Sequence, residues 1–227
     1  MIRLFTGFDR REEVGWHVFT HSVLARCSVP VAITALTGKQ RDGSNAFTYA
    51  RFLVPHLCNY EGWALFADGA DMVCLGDISE IAAPRGDAAA YVVKHDYKTR
   101  HKTKYRGTEM ESTNMDYPRK NWSSLTLWNC AHPANRILTP QLTDEADGRW
   151  LHGFSWLRDD ELGTLPAEWN CLVDEGQWRE DAKLLHWTSG IPAFRAYRNA
   201  PLAAIWLDEM EQASTGWQNA DLSRMQA

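Results

Sequence analysis

Short apolar runs alternate with amphipathic stretches along the chain. Ile2 to Thr6 is a brief apolar run closed by Gly7-Phe8-Asp9, and Trp16, Phe19, Val23 and Cys27 then recur at helical spacing within Arg11 to Cys27. The opening therefore reads strand, turn, helix. A second strand is expected at Val31 to Thr34 after Pro30. GSNAFTYARFLVPHL reads as a helix with Ser44 as cap, Phe47, Ala50, Val54 and Leu57 on one face, and Pro55 limiting its end. Trp63 to Ala67 is a compact strand stopped by Asp68-Gly69-Ala70-Asp71, and Ala88 to Val93 is another. Lys98 to Arg119 is polar and without periodicity, which marks an active-site lid or a disordered segment. A strand in SLTLWNC, a helix beginning in AHPANRIL and an amphipathic helix from Ala200 to Met210 complete the series. Alternating strands and helices predict an α/β fold: a mostly parallel central sheet flanked by helices. No repeat or linker interrupts it, so residues 1–227 are expected to form one domain.

Composition narrows the function. The chain has 227 residues and a formal net charge of -5, which opposes nonspecific nucleic-acid binding. No apolar run is long enough to span a membrane, and MIRLFTGFDR is not a secretory signal. The five cysteines, Cys27, Cys58, Cys74, Cys130 and Cys171, are scattered, which suits reduced core thiols in a cytoplasmic protein. Eleven tryptophans exceed ordinary usage; aromatic faces serve cores and also stack on sugars and bases.

The chemistry concentrates in WALFADGADMVCLGDI. An apolar strand delivers Asp68 and Asp71 to its carboxyl end, where open α/β sheets bind ligands. Two carboxylates on a tight Gly-Ala turn can converge on one hard cation and leave positions for phosphate oxygens. A plain polar turn uses the same residue types.

The wider segment, RFLVPHLCNYEGWALFADGADMVCLGDISEI, resembles the core of the glycogenin-like retaining glycosyltransferases (family eight) and their GT-A-fold relatives. Tyr49-Ala50-Arg51, Val54-Pro55, Asp68 with Asp71, and Gly76-Asp77-Ile78 stand in the family's order, although DGAD is one residue longer than the usual Asp-x-Asp. LLHWTSGIPAF resembles the family's His-x-x-x-Gly-x-x-Pro segment, with His186 in the metal-binding place and Gly190 in that of the glycine that approaches the diphosphate. The resemblance thus implies a GT-A nucleotide-binding fold and a Mn²⁺ or Mg²⁺ site of Asp68, Asp71 and His186. Its metal would bridge the diphosphate of a nucleotide sugar with UDP as carrier. It further implies that Thr6, Phe8 and Asp9 hold the nucleobase, with Phe8 available for stacking. Arg51 and Asp68 would approach the donor, the latter as ligand or ribose contact. Asn121, Ser123 and Ser124 would meet the donor sugar, with serine where the family has glycine. WLRDDELGTLPAEWN resembles the family's acidic helix start, which would bring Asp159 and Asp160 to the reacting sugar and leave Asn170 in the next loop. An acidic helix start also suits the helix dipole without any such role.

The basic run KTRHKTKYR is either a solvated face or a set of cations on a closing lid, with Lys98, Lys102 and Lys104 as candidates. The reading that fits best is a metal-dependent glycosyltransferase acting on a carbohydrate or other hydroxyl acceptor. A sugar-nucleotide-forming nucleotidyltransferase would share fold and metal but needs a Gly-rich basic loop after its first strand, where FTGFDRRE has one glycine. A noncatalytic sugar-nucleotide- or glycan-binding module is the alternative from another class; donor hydrolysis separates the two.

Overall fold

The computed structural model describes residues 1–41 and 44–218, and the chain opens as its apolar pattern predicts. β1 (Ile2–Gly7) leads to α1 (Glu13–Arg26), and β2 (Val31–Leu36) returns parallel to β1. The segment expected as one helix from Ser44 instead forms a 3-10 turn over Ala50–Leu53 and a single turn of α-helix, α2 (Val54–Leu57). Asp9 Oδ2 accepts the Ala46 N–H at 2.9 Å, which ties the segment ahead of this turn to the residues after β1. Pro55 has no N–H to complete a longer helix, and it sits in the first turn of α2, where none is needed.

β3 (Trp63–Ala67), β4 (Met72–Cys74), α3 (Ser79–Ala82) and β5 (Ala90–Val92) follow. The stretch expected to lack regular structure contains a small hairpin, β6 (Thr103–Lys104) and β7 (Ser112–Thr113), whose Tyr105 and Met110 are buried. A 3-10 turn over Trp122–Ser124 enters β8 (Leu125–Asn129). Where a helix is expected after it there is a 3-10 turn over Pro133–Ile137, then α4 (Pro140–Glu145) and α5 (Gly148–His152). β9 (Leu162–Thr164), β10 (Cys171–Leu172) and β11 (Leu184–His186) precede α6 (Ala203–Gln218), which starts later and runs further than its sequence pattern suggested.

Among the described residues the main sheet has six strands in the order β2-β1-β3-β8-β5-β9, and only β8 runs against the others. Neighbouring side chains divide between its faces with period two. Phe5, Phe66 and Trp128 join Phe52, Leu151 and Phe154 on one side, while Leu4, Leu65 and Leu127 join Phe19, Ile78 and Trp169 on the other. Helical layers thus cover both faces, as expected for this α/β class. A third apolar cluster, with Val18, Val73, Leu185, Trp187 and Trp206, packs a second sheet of order β10-β11-β4 against α1 and α6. In it His186 lies opposite Met72, next to the Asp68–Asp71 turn. All five cysteines are free thiols, four of them buried. No helix among the described residues is long and apolar enough to cross a membrane.

Candidate metal and nucleotide site

β1 and β3 run parallel, so the residues that leave them emerge at one edge of the sheet. At the end of β3 the Asp68 N–H donates to Ser124 O at 2.8 Å, and Gly69 takes φ +85°, which lets the chain reverse within three residues. Asp71 then turns back toward the sheet, and its carbonyl accepts the Trp187 N–H at 2.8 Å. That bond and the pairing of β4 with β11 bring a residue from far along the chain beside the turn. Ligand atoms of Asp68, Asp71 and His186 all lie within 4.8 Å of one another.

Each of the three is oriented by further bonds. Arg51, itself buried, places Nη1 2.6 Å from Asp68 Oδ1 as an ion pair and donates to the carbonyls of Thr48 and Ser123. His186 sits between two partners: Nε2 is 3.2 Å from Asp71 Oδ2, and Nδ1 is 2.9 Å from Asn170 Oδ1. Asp71 Oδ1 is buried without a hydrogen-bond partner among the described residues. Two carboxylates and an imidazole so arranged, with Asp71 Oδ1 left unsatisfied, fit a hard or borderline divalent cation. Burial would neutralise all three groups. For Asp71 the charge and hydrogen bond of His186 win, holding the carboxyl below its ordinary range, and Asp71 reciprocally raises the imidazole. For Asp68 burial wins over Arg51 and its carboxyl is pushed up to about 6.

A cleft of about 180 Å³ opens over these groups, lined also by Arg51, Lys104, Tyr105, Tyr117, Asn121, Ser123 and His152. The hairpin supplies its roof. The Tyr105 N–H donates to Ser189 O at 2.7 Å, and the buried Tyr105 hydroxyl accepts from Asn45 Nδ2. Lys104 lines the cleft without an ion pair among the described residues, whereas Lys98 and Lys102 are exposed and outside it. Beside the cleft lies a larger pocket of about 620 Å³, sharing Thr48, Tyr117 and His152 with it.

Several residues expected at the site are employed elsewhere. Thr6 is fully buried and its hydroxyl accepts the Trp16 indole N–H at 2.7 Å. Phe8 stands edge-on to Trp16, and Asp9 is occupied by Arg11 and Ala46; none of the three lines the cleft. Ser123 does line it, with Oγ 2.7 Å from His152 Nδ1, whereas Ser124 lies behind the wall. Gly190 is outside the cleft, where any side chain would strike the Tyr197 ring at 2.7 Å. Asp159 and Asp160 are not among the residues lining the cleft: they are exposed, paired with Arg119 and Arg158, in a 3-10 turn whose acidity suits its N-terminus.

Three residues enter the site from outside the expected set. Glu12 is buried beside Asp71 with Asn45 Nδ2 on one oxygen, and burial together with Asp71 and Asp9 drives its carboxyl well above the usual range. Asn170 reaches His186, and His152 stands where cleft and pocket meet. No spacing in the sequence signals Glu12 or His152; Asn170 was visible only as a loop residue.

No family model matches the chain. Solved structures with the same fold include the apo WbbM bifunctional glycosyltransferase (TM-score 0.61, 13% identity), which matches 99% of this chain while the chain spans half of that protein. The glycosyltransferase GlyE of Streptococcus pneumoniae has TM-score 0.64 at 14% identity, over 96% of this chain and 63% of that one. The galactosyltransferase LgtC, solved with donor and acceptor sugar analogs, has TM-score 0.63 at 11% identity, over 96% of this chain and 99% of that one. At these identities the likeness establishes the fold, which is that of GT-A glycosyltransferases. Kinship is closer with Protein CDI of Arabidopsis thaliana: 39% identity over 228 residues, covering 92% of this chain and 86% of the relative. The chain belongs to the family of Protein CDI.

Proposed function

We propose that this chain is a glycosyltransferase that moves a sugar from a nucleoside diphosphate sugar, with UDP as carrier, to a hydroxyl of a carbohydrate or other acceptor. A divalent cation, Mn²⁺ or Mg²⁺, would be held by Asp68, Asp71 and His186. The observation that carries this reading is the convergence of those three side chains at the edge where β1 and β3 end, with a buried Asp71 oxygen unsatisfied. When bound, the cation supplies Lewis-acid neutralisation of the charge that builds on the diphosphate as the sugar–phosphate bond breaks.

The chain's own residues supply the rest. Lys104 is a cleft cation without an ion pair among the described residues and would face the diphosphate; Arg51 is committed to Asp68 and keeps that carboxylate in place. Asn121, Ser123 and His152 form the wall against which the sugar lies. The adjoining pocket admits the acceptor, and Tyr117, which lines both pocket and cleft, is the aromatic side chain where the two meet. Retention at the transferred carbon is what the family resemblance implies.

Calorimetric titration of UDP into wild type, Asp71→Asn and His186→Ala, each with and without Mn²⁺, tests the reading. A diphosphate is repelled by bare carboxylates and attracted once the cation is present, so each ligand should strengthen the other by the same factor, and both variants should lose that coupling. Equal UDP affinity of wild type in excess chelator would refute the centre. Binding without hydrolysis or transfer of any UDP-sugar would point to a noncatalytic sugar-nucleotide-binding protein.

A further inference from the structure

Behind His186 runs a chain of hydrogen bonds whose direction is fixed at its far end. Ser124 Oγ donates to the main-chain carbonyl of Asn121 at 2.7 Å, a group that can only accept. The hydroxyl proton being spent there, Ser124 Oγ accepts from Asn170 Nδ2 at 2.8 Å. The amide is thereby oriented, and its oxygen, Oδ1, faces His186 Nδ1 at 2.9 Å. An amide oxygen accepts only, so Nδ1 must carry the hydrogen. While the ring is charged Nε2 also carries a hydrogen and donates to Asp71; in the neutral ring that a cation requires, the single N–H stays on Nδ1 and the lone pair lies on Nε2, the nitrogen turned toward Asp71 and Asp68. Ser124, Asn170 and His186 are each 1% exposed, so water offers no alternative partner.

We propose that Asn170, oriented by Ser124, is the positioning residue that holds His186 in the tautomer able to bind the cation. The inference rests on the metal reading above and assigns a task to two residues that would not touch metal or nucleotide. The small sheet makes the arrangement possible: Asn170 directly precedes β10, whose Leu172 pairs with His186, so the amide is delivered at the right height beside the ring.

The test is Mn²⁺ binding, read from the loss of the free-ion electron paramagnetic resonance signal, with wild type, Asn170→Asp, Asn170→Leu and Ser124→Ala. Asn170→Asp still accepts from Nδ1 and should bind within a few-fold of wild type. Asn170→Leu fills similar space without an acceptor and should weaken binding by about 10- to 100-fold, the usual effect of removing such a partner. Ser124→Ala deletes one oxygen, frees the amide to flip, and should give a smaller loss in the same direction. Equal weakening by Asn170→Asp and Asn170→Leu would mean that packing, not acceptance, matters, and would overturn the proposal; so would wild-type affinity in Asn170→Leu. Should Asn170→Leu fail to fold, ¹⁵N spectra of histidine-labelled wild type and Ser124→Ala with Mg²⁺ decide. Wild type should show His186 protonated at Nδ1, and an Nε2–H tautomer there overturns the inference. Absence of Mn²⁺ binding by wild type removes the metal reading itself, a different outcome from unaltered binding in the variants.

Discussion

Replacing Arg51 by Met leaves Asp68 as a buried carboxylate without its cation. The guanidinium lies 2.6 Å from Asp68 Oδ1, and the two side chains are 8% and 14% exposed, so solvent does little to screen the pair. Removing one partner of a buried ion pair costs about 3–5 kcal/mol, because the survivor stays desolvated. The bonds to the Thr48 and Ser123 carbonyls disappear as well. At about 2–4 °C per kcal/mol for a chain of this size, the melting temperature should fall by roughly 6–20 °C. Melting followed by tryptophan fluorescence at neutral pH measures it. The double variant Arg51→Met/Asp68→Asn should recover most of the loss, since it replaces the stranded charge with a neutral amide. If Arg51→Met melts within about 2 °C of wild type, or the double variant is no better than the single one, the pair is not what orders this edge.

Asp9 titrates in the opposite sense to Asp68: burial would raise its carboxyl, yet the bonds from Arg11 and the Ala46 N–H bring it from 3.8 down to about 2. A carboxyl depressed in the folded state adds stability above its unfolded value, lost as pH falls toward the folded one. Asp9→Asn should therefore cost roughly 2 kcal/mol at pH 7, and the difference in urea midpoints should vanish near pH 2. Lys104→Ala should weaken UDP binding in the presence of Mn²⁺ by about tenfold, the loss of one charge-assisted contact, with little change for uridine; equal losses for both would move Lys104 away from the phosphates. Asp159→Asn and Asp160→Asn, at exposed ion pairs, should leave the melting temperature and the turnover with UDP-sugars unchanged, and a large loss of turnover would bring them into the reaction.

The strands that carry the site were legible because each is a compact apolar run with a sharp stop: Ile2 to Thr6 before Gly7, and Trp63 to Ala67 before Asp68. The aspartates were legible for the same reason, as the polar residues a buried strand delivers to its end. The 3-10 geometry of residues 50–53 was not, because apolar residues three and four apart suit an α-helix as well as a 3-10 turn followed by one α-turn. β4, β10 and β11 have only two or three residues each, too few for any period to show. Yet they are what carries His186 to Asp71. Asp159 and Asp160 were read through a resemblance to an acidic helix start, and the chain there forms a 3-10 turn before the three-residue β9, too short a strand for any period to show. Lys104 could not be distinguished from Lys98 and Lys102 until Tyr105 was seen anchored at Ser189.

Asp71 and His186 are 115 positions apart and meet only when β4 and β11 pair. Closing a loop of that length costs on the order of 4 kcal/mol in chain entropy, and the cost falls due before any bond across the loop can offset it. A chain still being synthesised can therefore pair β1 with β3 and expose both aspartates long before a complete site exists. Completion waits for β11, so under the proposed function the capacity to hold a cation would mark a chain whose two sheets have both formed. A chain without β11 would present only the carboxylate half of the proposed centre.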